Sequence, residues 1–290
     1  MSTELQFTGE RFTPECVREI WYEHVHRYAF ARSFASGKRV LDAACGEGYG
    51  SALLATVAES VLGVDIDQET IEHARRRYRQ AGNLAFRQSD ATVLDALPDA
   101  GFDLITCFET LEHVEAQQAL IAGFSRLLAP GGMLLVSSPD KAEYSDRRGF
   151  ENEFHVRELY RDELQSLLDS HFSHVRLLGQ KLLFQSVLWS PGADQGKVSA
   201  VTEQKGILTA GLTYPPMYYL ALCSQQALPD SATVHLFGDR AESVYEHYNA
   251  EIRKNMAAGE RIAELEQRVR DLEKAATVQP RDWRGIFRRR

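Results

Sequence analysis

Cysteine is scarce and scattered in this chain of 290 residues: Cys16, Cys45, Cys107 and Cys223 form no CxxC pair of the kind that binds zinc or does redox work. They read as four reduced thiols in a cytoplasmic protein, and no metal-ligand set is assigned. Long apolar runs are also missing, since none approaches the ~18–20 residues a membrane-spanning helix needs. The first residues, MSTELQFTGE, hold no basic stretch followed by an apolar one, so they do not read as a secretory leader. Positive charge is in deficit. Lys and Arg number 33 against 41 Asp and Glu, a net charge of −8 that argues against a general nucleic-acid binder.

What is present is ordinary for a globular protein, with 44% hydrophobic and 26% charged residues. The length suits one generous domain with appendages, or two small domains. Residues 15–36 place Val17, Ile20, Trp21, Val25, Tyr28 and Ala29 at helical spacing. Strand-like and helix-like segments then alternate. Strands are expected at 39–43, 60–64, 84–88, 103–107 and 133–137, with helices at 50–58, 68–80 and 115–128 between them. Pro130-Gly131-Gly132 reads as a sharp turn before the fifth strand. Strands separated by helices imply βαβ units and a mainly parallel sheet. A helix at 157–171 and late strands at 174–179 and 217–223 suit a sheet with one antiparallel member. The expected fold is therefore a doubly wound α/β domain on a mostly parallel seven-stranded sheet, followed by a helical, coiled-coil-like tail.

The domain reading follows. Residues 1–36 form an N-terminal cap segment and helix, 37–228 the main domain, and 229–241 a linker. Within the main domain, 185–213 is weakly patterned and rich in turn residues, like an insertion or mobile loop. Residues 242–275 are a charged helix in which Ile262, Leu265, Val269 and Leu272 follow the 3-4-3 spacing of a coiled-coil seam. Residues 276–290 end in a basic, aromatic stretch. No internal repeat is present.

The chemistry points to VLDAACGEGYG, residues 40–50. A strand ends at Asp42, and a turn carries Gly46, Gly48 and Gly50 into a helix. Glycines there let the backbone approach a ligand and adopt conformations barred to other residues, and the helix start exposes N–H groups that can hold an anion. At the end of the next strand Asp65 stands where an acidic group accepts both ribose hydroxyls of an adenosine in doubly wound folds. A nicotinamide enzyme would show G-x-G-x-x-G reaching a pyrophosphate; here the order is acidic-x-x-x-G-x-G-x-G.

That order resembles the first motif of class I S-adenosylmethionine-dependent methyltransferases. The resemblance covers about residues 35–225 and continues through FRQSDA, FDLITCFETLEHV and LLAPGGMLLVSSP, in the family's sequence. It implies S-adenosyl-L-methionine as cofactor. Gly46 and Gly48 would make room for its amino-acid and ribose portions, and Asp42 would order the glycine turn or meet the ammonium. Asp65 would take the ribose diol, Ile66 would offer an apolar surface to the adenine, and Asp90 would accept from its amino group. Ala91 and Phe108 fall in the same pocket. The competing readings are a solvated strand-end carboxylate for Asp65 and a helix cap for Asp90.

Methyl transfer needs an in-line nucleophile more than protein chemistry, but a hydroxyl acceptor gains from a base near neutral pKa. His113, in ETLEHV, and His155, in NEFHVREL, are the two candidate catalytic bases. A buried structural histidine and a helix-start cap are the alternatives. Glu109 is assigned to the acceptor or the cofactor. The segment QFTGERFTPE followed by WYEHVHRYAFA resembles bacterial methyltransferases found with polysaccharide and lipopolysaccharide assembly. On that resemblance Arg11 pairs with the cofactor carboxylate, while Tyr28 and His24 line the acceptor pocket.

The sequence thus suggests a cytoplasmic O-methyltransferase acting on a sugar or glycan hydroxyl in surface polysaccharide synthesis. Its rivals are a methyltransferase for a quinone, polyketide or amino sugar, and an inactive assembly component, against which the intact Gly46, Gly48, Asp65 and Asp90 count. A nucleic-acid partner is not expected, for want of a basic stripe and of NPPY-like or Pro-Cys patterns. The seam suggests self-association or a partner helix. The tail, with Trp283, Ile286 and Phe287 among Arg281, Arg284, Arg288, Arg289 and Arg290, suggests peripheral contact with an anionic inner membrane.

Overall fold

The computed structural model describes residues 19–192 and 198–278. They fall into two units, through Gly238 and from Asp239 onward. Arg11, Cys16 and the terminal cluster from Arg281 to Arg290 lie outside the described residues.

The first unit runs α1 (Glu19–Arg32), β1 (Arg39–Ala43), α2 (Tyr49–Ala55), β2 (Ser60–Asp65), α3 (Gln68–Arg77), β3 (Leu84–Gln88), β4 (Phe102–Cys107), α4 (Gln117–Leu127), β5 (Leu128–Pro139), α5 (Lys141–Tyr144), α6 (Arg161–Asp169), β6 (His174–Gln180), β7 (Val201–Gln204), β8 (Ile207–Ala210) and β9 (Tyr218–Ser224). Seven strands form one sheet in the order β3-β2-β1-β4-β5-β9-β6. All neighbours are parallel except β9, which runs against both β5 and β6. Strands buried on both faces read as apolar runs rather than alternations, as β5 does from Met133 to Val136; in β1, Val40 and Leu41 are both buried. Val40 and Leu41 then point to opposite faces. Val40 joins Tyr28, Phe30 and Leu54 on the α1–α2 side, while Leu41 joins Ile121, Phe124 and Leu168 on the α4–α6 side. Helices thus cover both faces, which makes the fold doubly wound.

Local signals place the helix ends. Asp67 caps α3 by accepting from the Thr70 N–H at 2.9 Å, and Arg75, Arg76 and Arg77 fill its last turn, where cations favour the helix dipole.

Four expectations change in the folded chain. Strand β5 begins at Leu128, five residues early: Pro130-Gly131-Gly132 is absorbed as an irregularity opposite Phe102 and Leu104, with Gly131 at φ +81. The helix expected from 157 starts at Arg161, because Leu159 is engaged in a bridge with Asp140. In segment 185–213, β7 and β8 form an antiparallel hairpin. Lys205 and Gly206 at its tip both have positive φ (+51 and +81), as a type I′ turn requires. Finally, the stretch expected to be a linker packs on α1, with His235 and Phe237 stacked on His26 at 5.1 and 5.4 Å between ring centroids.

The second unit is dominated by one helix, α7 (Ser243–Val278), 36 residues long. Ile262, Leu265, Val269 and Leu272 are each 45–63% exposed along it, and ion pairs such as Lys254–Glu251 and Arg270–Glu266 decorate its surface. Among the described residues no helix is long and apolar enough to cross a membrane.

Candidate active site at the carboxyl ends of the strands

The sheet order reverses between β1 and β4, and ligands of open α/β sheets bind at the carboxyl ends of the strands beside such a point. The glycine turn leaves β1 there. Gly46 and Gly48 sit at φ +55 and +88, where a side chain is strained. Their free faces differ. A Cβ on Gly46 would meet nothing within 4 Å, whereas one on Gly48 would land 2.5 Å from the Phe86 ring. Gly46 therefore opens onto free space, and Gly48 is demanded by the protein's own packing.

Asp42 is fully buried. It accepts hydroxyl hydrogen bonds from Ser51 (2.6 Å), Thr106 (2.7 Å) and Tyr28 (3.0 Å). Burial pushes its carboxyl up to about 6, against the pull of those three donors. It thus knots β1, β4, α1 and α2 together beneath the turn. Tyr28 faces this knot and is 5% exposed, so it lies in the core rather than on a pocket wall; its ring meets that of Phe108 edge-on at 4.9 Å.

Asp65, at the end of β2, takes the Gly46 N–H on one oxygen (2.9 Å) and the Asp67 N–H on the other (3.0 Å). Ile66 beside it is 67% exposed. Asp90, beyond β3, accepts from the N–H and hydroxyl of Thr92 at 2.8 and 2.7 Å, and Ala91 is partly buried next to it. Gly46, Asp65, Ile66, Asp90 and Phe108 thus follow the ends of four neighbouring strands.

A second group gathers at the ends of β4, β5 and β6. Arg27 of α1 is 1% exposed. Its Nη1 stands 3.2 Å from Glu109 Oε1, its Nε donates to Gln180 Oε1 at 2.7 Å, and its guanidinium lies 4.5 Å over the Tyr218 ring. Glu109 has φ +50, unusual for a residue with a side chain. Ser137 fixes it twice, accepting from the Glu109 N–H at 3.0 Å and donating to Oε1 at 2.9 Å. Burial pushes Glu23 up to about 7, although Arg27 opposes the rise. Burial, and then Arg27, push the neighbouring His24 down to about 3, so its imidazole is neutral. Arg27 and Glu23 escaped the sequence analysis because nothing in WYEHVHRY distinguishes a buried arginine from a surface one, and Tyr218 because it opens β9, read only as a late strand.

A third group joins His113 and His155, which are remote in sequence. After β4 a single helical turn (Leu111–His113) presents Glu112 and His113. The Glu112 carbonyl accepts from Val156 N and Arg157 N at 2.8 and 3.0 Å, which draws the 152–158 loop underneath. His113 Nδ1 contacts the Phe154 carbonyl at 3.0 Å, His155 Nδ1 contacts Glu158 Oε1 at 2.6 Å, and the two rings lie 5.0 Å apart. Tyr144 stacks on His155 at 5.2 Å. Glu112 is buried, and desolvation followed by the Glu109 charge hold its carboxyl well above the usual range. Glu112 and Glu158 were missed by the sequence analysis, although each adjoins a histidine in the patterns E-H and H-x-x-E.

A cavity of 620 Å³ opens beyond Arg27, between α1, the end of β6, the 198–216 segment and residues 232–237. Phe30, Leu178, Leu220 and Phe237 give it an apolar wall, and Glu23, Arg27 and Lys181 a charged one.

An open sheet of this order, with a glycine turn after β1 and an acidic residue after β2, defines the class I methyltransferase fold. The family described as Methyltransferase domain matches residues 34–184. The chain belongs to this family of S-adenosylmethionine-dependent methyltransferases. Among similar proteins, a "probable S-adenosylmethionine-dependent methyltransferase" of Mycolicibacterium smegmatis is 37% identical over 173 residues, 59% of this chain and 66% of that protein. A ubiquinone biosynthesis O-methyltransferase of Methylococcus capsulatus is 31% identical over 113 residues, 39% of this chain and 48% of that protein. The match thus spans just under two thirds of the first relative and about half of the second. The crystal structure of the YcgJ protein from Bacillus subtilis shares the fold, with a TM-score of 0.52 at 17% identity, covering 70% of this chain and all of that one.

The residues present fit the family's cofactor. The space in front of Gly46 would be filled by any side chain, and the Asp65 oxygens keep lone pairs after their backbone bonds. Ile66 leaves an apolar surface uncovered at the strand ends.

Proposed function

We propose that the protein transfers a methyl group from S-adenosyl-L-methionine to a hydroxyl of a sugar or glycan acceptor. The observation that carries this reading is the density of hydrogen-bonding groups, Arg27 buried and the others partly buried, at the ends of β4, β5, β6 and β9: Glu23, Arg27, Glu109, Gln180 and Tyr218. A site that hydrogen-bonds a polyol selects for it, because an acceptor lacking those hydroxyls leaves the site's polar groups unpaired.

Gly46, Asp65, Ile66 and Asp90 would hold the cofactor. The bound cofactor supplies an electrophilic methyl group on a sulfonium. Asp65 fixes the glycine turn, and Asp42 fixes the strand beneath it. Glu109, held by Ser137 and Arg27, orients an acceptor hydroxyl. Glu112, His113 and His155 activate that hydroxyl, and His24 stays neutral beside Arg27.

A second reading is favoured by the apolar wall of the 620 Å³ cavity and by the likeness to a ubiquinone biosynthesis O-methyltransferase: a ring acceptor of quinol type. A methyl-transfer assay with mass detection, run on free sugars, short glycans and quinols, separates the two. Product on a sugar hydroxyl supports the first reading, and product on quinols alone replaces it with the second. Failure to bind S-adenosylmethionine in calorimetry removes both.

A further inference from the structure

We propose that Glu112, His113 and His155 hold a divalent transition-metal cation, which takes the acceptor hydroxyl as a further ligand. The role of the ion, though not the site itself, rests on the O-methyltransferase reading above.

One donor atom from each of the three residues lies within 4.8 Å of the other two. Donors bound to one ion at about 2.0–2.2 Å stand ~3–4 Å from each other, so a closing movement of about an ångström completes the shell. The buried Oε2 of Glu112 accepts no hydrogen bond among the described residues. An unmet buried carboxylate oxygen is costly, and a cation beside it removes the cost.

The histidines are oriented as ligands. With Nδ1 of His113 donating to the Phe154 carbonyl and Nδ1 of His155 donating to Glu158, the lone pair of each ring sits on Nε2. Metal-bound imidazoles typically give their other N–H to a carbonyl or carboxylate in this way. Nε2 of His155 lies 3.0 Å from Asn152 Nδ2, a contact the ion would replace. The bonds from Val156 and Arg157 to the Glu112 carbonyl hold the two ligand-bearing segments in register. A simple His155–Glu158 proton relay would require neither the buried Glu112 nor His113 at its side.

Two imidazoles and one carboxylate suit Zn²⁺, Mn²⁺, Fe²⁺ or Co²⁺, and three protein ligands leave positions open, as catalytic sites do. Coordination lowers the pKa of the acceptor hydroxyl. Its proton leaves to water, the oxygen bonds the methyl carbon, and the C–S bond breaks with its electron pair retained by sulfur. His113 and His155 then serve as ligands rather than as the bases expected from the sequence.

The test uses the full-length protein, stripped with EDTA and titrated with Co²⁺ and Mn²⁺ by calorimetry, with Co²⁺ followed also by its visible absorption. One ion per chain is expected. Glu112→Gln, His113→Gln and His155→Gln should each weaken binding at least tenfold, and Glu158→Gln about tenfold through the orientation of His155. Should the buried Glu112→Gln fail to fold by circular dichroism, the two partly exposed histidine variants carry the test. Absence of stoichiometric binding, or wild-type affinity in both histidine variants, overturns the site. S-adenosylmethionine binding is measured alongside. S-adenosylmethionine binding by a protein that takes up no added ion overturns the metal alone, whereas no S-adenosylmethionine binding by the wild type overturns the methyltransferase reading.

Discussion

The backbone N–H of Gly46 donates to the Asp65 carboxylate at 2.9 Å, so the glycine turn after β1 is tied to the end of β2. One side chain thereby sets the shape of the crevice and offers lone pairs to a ligand within it. Asp65→Ala should weaken S-adenosylmethionine by ten- to a hundredfold, from the loss of a charge-assisted bond of ~1.5–3 kcal/mol. Calorimetry on a variant with unchanged circular dichroism checks this; near-wild-type affinity would remove Asp65 from the site.

Gly46 and Gly48 separate ligand space from packing. Both substitutions to Ala incur the left-handed penalty of roughly 1–2 kcal/mol. Gly48→Ala also drives a methyl into Phe86 and should lower the melting temperature further. Gly46→Val should fold but lose cofactor binding, since its side chain occupies free space. Thermal denaturation and calorimetry on both variants decide the matter. A Gly48→Ala protein as stable as wild type would contradict the packing role.

Arg27 and Glu109 form an ion pair whose arginine is fully buried. Removing one partner of such a pair strands the other charge, at a cost of ~3 kcal/mol. Glu109→Gln should therefore destabilise strongly by chemical denaturation, while the double variant Arg27→Met/Glu109→Gln should recover much of the loss. A double variant no better than the single one would show that the pair contributes through packing alone.

Glu23 gives stability a pH signature. Its folded pKa of about 7 lies above the ordinary 4.5, because burial disfavours the charge more than Arg27 favours it. Stability from this group is therefore fully present below pH 4.5 and lost as pH rises through 7. Glu23→Gln is neutral throughout, so its stability relative to wild type should rise between pH 4.5 and 7, by ~1–3 kcal/mol. Titrating His24 and His26 are common to both proteins and cancel in the difference. A difference that does not change with pH would mean that Glu23 is ordinarily solvated.

The helix α7 exposes Ile262, Leu265, Val269 and Leu272 along its length. Truncation after Ala241 should leave methyl transfer intact while reducing oligomer size in light scattering, or binding to anionic vesicles in co-sedimentation. Identical behaviour in both assays would leave the seam and the basic tail without the proposed roles.

Much of the scaffold was legible in the residues themselves. The strands at Arg39–Ala43 and Leu84–Gln88 fall on the bounds read from the sequence. The glycine turn, Asp65 and Asp90 are short-range patterns, set by φ requirements and strand ends within a few positions of each other. Tertiary structure decided the rest. It turned Tyr28 toward Asp42, packed Gly48 against Phe86, and buried Arg27 against Glu109. It also set His113 beside His155, through the Val156 and Arg157 bonds to the Glu112 carbonyl. Local backbone preference acts between neighbours and can be read along the chain. A shared site depends on which strand ends the parallel sheet brings together, and that order follows from burying both faces of the sheet at once.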